Sequence, residues 1–188
     1  MPVEIEAKMK VADHAPVRNR LQECGAHRQS SVLETNTFFD TPDRSLLAKD
    51  QGLRLRHQRD VQSHEEKSII TFKGPRQRGL TKNREEKEVV VGDPQDAIAL
   101  LEAIGFSCIV SFQKKRETWL LEGCEIELDE LPYLGTFVEI EGPSEQVILR
   151  VREILNLANE PMINAGYIAL LMKHLQENQI SEREIKFK

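Results

Sequence analysis

From Val3 to Val11 the chain alternates without a break: Val3, Ile5, Ala7 and Met9 fall on one side, Glu4, Glu6, Lys8 and Lys10 on the other. Strand side chains point to opposite faces in turn, so this stretch reads as a strand with one apolar and one ionic face. The same division recurs. Leu53 and Leu55 oppose Arg54 and Arg56. Ile126 and Leu128 oppose Glu125, Glu127 and Asp129, and Val138 and Ile140 oppose Glu139 and Glu141. The stretch from Lys82 sets Arg84, Glu86 and Glu88 on one side and Glu85 and Lys87 on the other. Lys114 and Arg116 share a face opposite Lys115 and Glu117, with no clean apolar side. Such a chain must cover one side of most strands with apolar groups and find partners for the charges on the other.

Further strands are expected at Thr35 to Asp40, Leu53 to Arg59, Lys67 to Lys73, Lys82 to Val91, Ile109 to Leu121, Cys124 to Asp129 and Thr136 to Glu141. Helices are expected from Ala15 to Cys24, ending at Gly25, and from Pro94 to Ala103. The second opens on the cap-and-proline pair Asp93-Pro94. Two more are read over about Ser144 to Ala158 and Asn164 to Glu177, with a short helical turn at Arg44 to Lys49 after the break at Pro42. Residues 74–80, GPRQRGL, form a basic loop. No linker, repeat or low-complexity block interrupts the chain, so residues 1–188 read as a single domain.

Hairpin-like links between the strands imply an antiparallel sheet and an α+β fold. Alternation alone is met by an open sheet packed on helices with a solvated charged face. Two details favour closure. The charged faces hold almost no Thr, Ser or Gln. They also cluster by sign, with acids on the first and last strands and Arg and Lys on the middle ones. The expected fold is therefore an antiparallel eight-stranded β-barrel with helices packed outside, whose interior has room for side chains or one small ligand. Charges enclosed there must be paired or bind ions. Carboxylates collecting Mg²⁺ or Mn²⁺, beside Arg and Lys collecting phosphate, satisfy both sets.

The net charge of −5, from 31 Asp+Glu against 26 Lys+Arg, argues against general nucleic-acid or anionic-membrane binding. The opening MPVEIEAKMK has no apolar signal-peptide core, and no apolar run nears membrane-spanning length. Cys24, Cys108 and Cys124 lack metal or disulfide spacing, so packing roles and a cytoplasmic setting are expected. His14, His27, His57, His64 and His174 show no ligand spacing, and no Ser–His–Asp set is visible.

The motifs resemble one family in order along nearly the whole chain. Glu4-Ile5-Glu6-Ala7-Lys8 is an ExExK strand. Asn36-Thr37-Phe38-Phe39-Asp40-Thr41-Pro42-Asp43 looks like a YFDTPD segment, with Phe38 where Tyr is usual. Gly52-Leu53-Arg54-Leu55-Arg56 looks like an LRxR strand. Thr71-Phe72-Lys73-Gly74-Pro75 looks like a lysine strand, Arg84-Glu85-Glu86 an RxE strand and Lys114-Lys115-Arg116 a KxR strand. Leu128-Asp129-Glu130-Leu131 and Leu134 to Glu141 resemble the closing metal-binding strands. Together these resemble the CYTH superfamily, the triphosphate tunnel metalloenzymes. The resemblance implies a tunnel-shaped eight-stranded sheet and a divalent metal, Mg²⁺ or Mn²⁺. It implies metal ligands at Glu4, Glu6, Asp129, Glu139 and Glu141, and phosphate binding by Lys8, Arg54, Arg56, Lys73, Arg84, Lys114 and Arg116. The catalytic strand residues would be Glu4, Glu6 and Lys8. Glu88 lies on the face of Arg84 and Glu86 and could take the acid's role.

Three functions fit. The first is a metal-dependent triphosphatase acting on tripolyphosphate, ATP or thiamine triphosphate, suggested by the full strand set and the FFDTPDRSLL segment. The second is a class IV adenylyl cyclase, to which the segment LDELPYLGTFVEIEG and the helix–Gly–Phe stretch before Lys114 are similar. The third is a non-catalytic polyphosphate- or nucleotide-binding module, which the number of carboxylates disfavours. Dimerisation is common in such small enzymes, so a homodimer is a candidate state, though no interface is visible in the sequence.

Overall fold

The alternating stretches are strands in the structure, a computed structural model that describes residues 5–75 and 85–188. β1 is Ile5–Val11, β2 His27–Asp40, β3 Gly52–Asp60, β4 Glu66–Lys73 and β5 Glu86–Val91. β6 is Ser107–Leu121, β7 Cys124–Leu131, β8 Gly135–Gly142 and β9 Glu184–Ile185. The helices are α1 Ala15–Glu23, α2 Ser45–Ala48, α3 Pro94–Ala103, α4 Glu145–Ile154 and α5 Tyr167–Glu177. Glu4, Arg84 and most of the basic loop lie outside the described residues.

Local chemistry accounts for the helix starts. Asp93 Oδ1 accepts from the backbone N–H of Gln95 at 2.7 Å and of Asp96 at 3.1 Å, with Pro94 at the first turn. Ser144 Oγ accepts from Val147 N–H at 3.3 Å to open α4. β2 is longer than the sequence pattern implies. Val32 to Glu34 pair with Gln58 to Asp60 of β3, so a long partner strand fixes a segment that periodicity leaves unassigned.

The strands pair in the order β1-β8-β7-β6-β2-β3-β4-β5, with β9 beside β6. No ladder among the described residues returns from β5 to β1, so the expected barrel is not closed; the sheet is open. The outer edge of β1 is taken by another segment. Met9 bridges Met162, and Ile163 N–H donates to the Lys8 carbonyl at 2.8 Å. That segment meets β1 backbone groups that closure would have required.

The chain divides into two compact units, Met1–Ser31 with Lys115–Ser181 and Val32–Lys114 with Glu182–Lys188. In the first unit, Met9, Ile126, Val138 and Ile140 of the strands bury against Val17 and Leu21 of α1 and Ile148 and Val151 of α4. In the second, Phe39, Leu53 and Leu55 bury against Ala97 and Leu101 of α3. Burying such side chains contributes roughly 1.5–3 kcal/mol each. It also fixes which strand face is left to the charged residues. Among the described residues no helix is long and apolar enough to cross a membrane.

Candidate functional site

In the first unit the ladder aligns Lys8 with Glu139 and Glu139 with Glu127, across β1, β8 and β7. One register step away Asp129 pairs with Arg116 of β6. Paired residues share a face, so antiparallel register alone gathers these five side chains. Arg116 Nε donates to Asp129 Oδ1 at 2.7 Å and Nη2 to Oδ2 at 2.5 Å, a two-point grip. The same guanidinium reaches Glu139 Oε2 at 2.8 Å and also bonds Glu127. Lys8 Nζ lies 2.9 Å from Glu139 Oε1, donates to the Ala165 carbonyl at 3.0 Å, and sits 4.0 Å above the Tyr167 ring.

Asp129 is wholly buried, and Glu139 and Lys8 nearly so. Glu127, Asp129 and Glu139 can each turn an oxygen to within 4.8 Å of the others. Three carboxylates against one guanidinium and one ammonium leave a negative excess. Hard oxygen donors with that excess suit a divalent cation such as Mg²⁺ or Mn²⁺. Tyr167 is held in its neutral form. Burial raises its pKa far above the ordinary phenol value, and the charges of Asp129 and Glu139 raise it further.

Glu6 pairs with Glu141, and Glu141 with Glu125, one step further along the same face. Glu6 is exposed and Glu141 half-buried. The structure thus brings Lys8, Arg116, Asp129 and Glu139 into one cluster and sets Glu6 and Glu141 beside it. Glu127, absent from the expected ligand set, is inside the cluster. Its signal was its place two residues from Asp129.

The second unit carries a cationic set. Glu34 of β2 lies 3.2 Å from Lys114 Nζ and 3.7 Å from Arg56 Nη1, and accepts from Asn36 Nδ2 at 3.1 Å. Arg54 is pushed down to about 10. Burial is the main cause and the Arg56 charge adds to it, while Glu34, Glu86 and Glu88 oppose the fall. The Nε atoms of Arg54 and Arg56 are buried with no hydrogen-bond partner among the described residues. Lys73 pairs with Glu86 at 2.6 Å, and Thr71 Oγ1 donates to Glu88 at 2.8 Å. Sequence patterning missed Glu34, because it stands in the part of β2 without a strand signal.

Asp40, from the TPD-like segment, has a structural role. It accepts backbone N–H groups from Thr41 at 2.8 Å, Leu46 at 2.9 Å and Leu47 at 3.1 Å, anchoring α2. Burial acts to raise its pKa, and these N–H donors bring the net value below the ordinary one.

The CYTH domain family model matches residues 2–166. A Methanocaldococcus jannaschii protein provisionally named an adenylate cyclase is 27% identical over 177 residues, 89% of this chain and 98% of that protein. The thiamine-triphosphatase of Macaca fascicularis is 27% identical over 134 residues, 62% of this chain and 54% of that protein. A solved structure from Pyrococcus horikoshii OT3 is similar with a TM-score of 0.75 at 26% identity, covering 90% of this chain and 98% of the other.

Proposed function

This chain belongs to the CYTH domain family, and from that premise we propose that it is a divalent-metal-dependent triphosphatase, cleaving tripolyphosphate or an organic triphosphate. The observation that carries the reading is the buried Glu127–Asp129–Glu139 set held by Arg116 and Lys8. Those carboxylates would hold the ion, with Glu6 and Glu141 extending the acidic face and Glu4 added from the sequence. Bound there, Mg²⁺ or Mn²⁺ would supply charge neutralisation for phosphoryl transfer.

The chain's own residues supply the rest. Arg116 and Lys8 offset the carboxylates and would take phosphate oxygens. In the second unit Arg54, Arg56, Lys73 and Lys114 would take phosphate oxygens, with Arg84 added from the sequence. The Nε–H groups of Arg54 and Arg56, without a partner among the described residues, favour an anionic ligand, since a buried donor is costly until it is met. A guanidinium grips phosphate at two points, whereas Lys acts as a point charge.

The name of the Methanocaldococcus relative, which spans nearly the same length, favours a second reading: cyclisation of ATP with release of pyrophosphate. Phosphorus NMR of the protein with Mg²⁺, ATP and tripolyphosphate separates the two. Orthophosphate and pyrophosphate growing from tripolyphosphate support the triphosphatase. Cyclic AMP with pyrophosphate supports the cyclase. Unchanged signals with either metal contradict both and leave a binding module.

A further inference from the structure

Glu34, Glu86 and Glu88 are carboxylates of the second unit outside the metal cluster, and Glu34 is the most buried of the three. Glu34 is 1% exposed, deeper than any of the cations around it. Its Oε2 lies 3.2 Å from Lys114 Nζ and accepts from Asn36 Nδ2 at 3.1 Å, while Oε1 is 3.7 Å from Arg56 Nη1. As a bare charge it weakens the pull of these cations on an anionic ligand, so electrostatic attraction does not explain its place. Geometry does. Long cationic side chains lose rotamer freedom when a ligand orders them, and a buried anion that orders them beforehand removes that cost from binding.

The register supports this. Asn36 lies directly across from Arg56, and Phe38 across from Arg54, so Glu34, opposite Gln58, stands in the same row of side chains. Asn36, itself 2% exposed, holds the Glu34 carboxylate from its own strand. Arg56 Nη1 stands 3.7 Å from Glu34, a charge pairing longer than a hydrogen bond, and its Nε–H, like that of Arg54, is buried without a partner among the described residues. One end of the Arg56 guanidinium faces the buried anion, and another donor is left for a ligand.

We propose that Glu34 is a positioning residue for triphosphate binding, a buried anion that fixes Arg56 and Lys114 before the ligand arrives. The inference rests on reading the site as triphosphate-binding. It gives Glu34 no contact with the substrate and no part in the bond-breaking step.

The test compares the parent protein with Glu34→Gln and Glu34→Asp. Tripolyphosphate binding is measured by titration calorimetry without metal, and kcat and KM with Mg²⁺. Charge alone would make Glu34→Gln bind more tightly. Positioning makes it bind about tenfold more weakly, with KM raised to match and kcat changed much less. Glu34→Asp, charged but shorter, should fall between Gln and the parent. Thermal melts identify folded variants. If Glu34→Gln does not fold, Glu34→Asp decides, weaker binding supporting the proposal. Unchanged or tighter binding in the folded variants overturns it while leaving the triphosphatase reading intact. A parent that neither binds nor cleaves tripolyphosphate or ATP overturns the functional reading and this inference with it.

Discussion

Arg116 joins Glu127, Asp129 and Glu139 to one another, and Asp129 has no solvent to fall back on. Replacing it with Met should therefore cost about 3–5 kcal/mol in metal-free protein, the usual penalty for stranding buried charge. Added Mn²⁺ should return part of that stability, because the ion binds the same oxygens only in the folded state. Urea unfolding with and without the metal checks both statements, and a loss that Mn²⁺ does not touch would speak against a metal site. Asp40 gives a different residue-scale prediction. Asp40→Asn keeps one acceptor oxygen but turns an amide toward an N–H donor, and should cost about 1.5–3 kcal/mol. Because its folded pKa is lowered, Asp40's ionic contribution is fully present above its unfolded value near 3.8 and lost as pH falls through the folded value. The parent should thus lose more stability than Asp40→Asn as pH falls below the unfolded value near 3.8. Residue identity on the acidic face was legible from alternation, and Glu127 was already placed there. Cross-strand register was not legible. It sets Glu127, and not Glu141, directly beside Glu139.

Element by element, the helix signals were the clearest, because capping is local chemistry. Asp93→Ala removes both bonds to the first turn of α3 and should lower stability by about 1 kcal/mol, read as a shift in urea midpoint. Gly142, the last residue of β8, is small for a packing reason that no pattern announces. A Cβ there would stand 2.6 Å from Cys124 Sγ and 3.1 Å from Ile148. Gly142→Ala should cost about 1–3 kcal/mol, whereas Ala at Gly166, where nothing lies within 4 Å, should cost far less. Equal midpoints for the two variants would contradict this. The strands at Leu53, Cys124 and Thr136 announce themselves because each buries one face against helices. The first half of β2 does not, since His27 to Ser31 carry no apolar alternation and Val32 to Glu34 are held by β3. The same blind spot hid Glu34. Closure was likewise beyond reach of the sequence. Alternation states that a face is charged, and the charge clustering by sign was met by pairing within the ladder: Arg116 against Asp129 and Lys8 against Glu139. The edge of β1 was filled by Met162 and Ile163, which carry no strand signal.

For the whole molecule, the account has each unit bury an apolar face under helices and keep an ionic face for ligands. The first unit gathers hard oxygen donors, and the second gathers guanidinium and ammonium groups. Family membership was readable from ordered motifs along the chain, because the residues that carry them alternate with those that build the core. The central claim is that Glu127, Asp129 and Glu139 hold a divalent ion needed for triphosphate cleavage. Its most direct test is orthophosphate release from tripolyphosphate in Mg²⁺, comparing the parent with Glu127→Gln, which keeps the side-chain shape. The account expects release by the parent that stops with EDTA, and a loss of roughly a hundredfold in Glu127→Gln, in line with losing a charge that stabilises the transition state. Release that survives EDTA, or a Glu127→Gln protein as active as the parent, would contradict it.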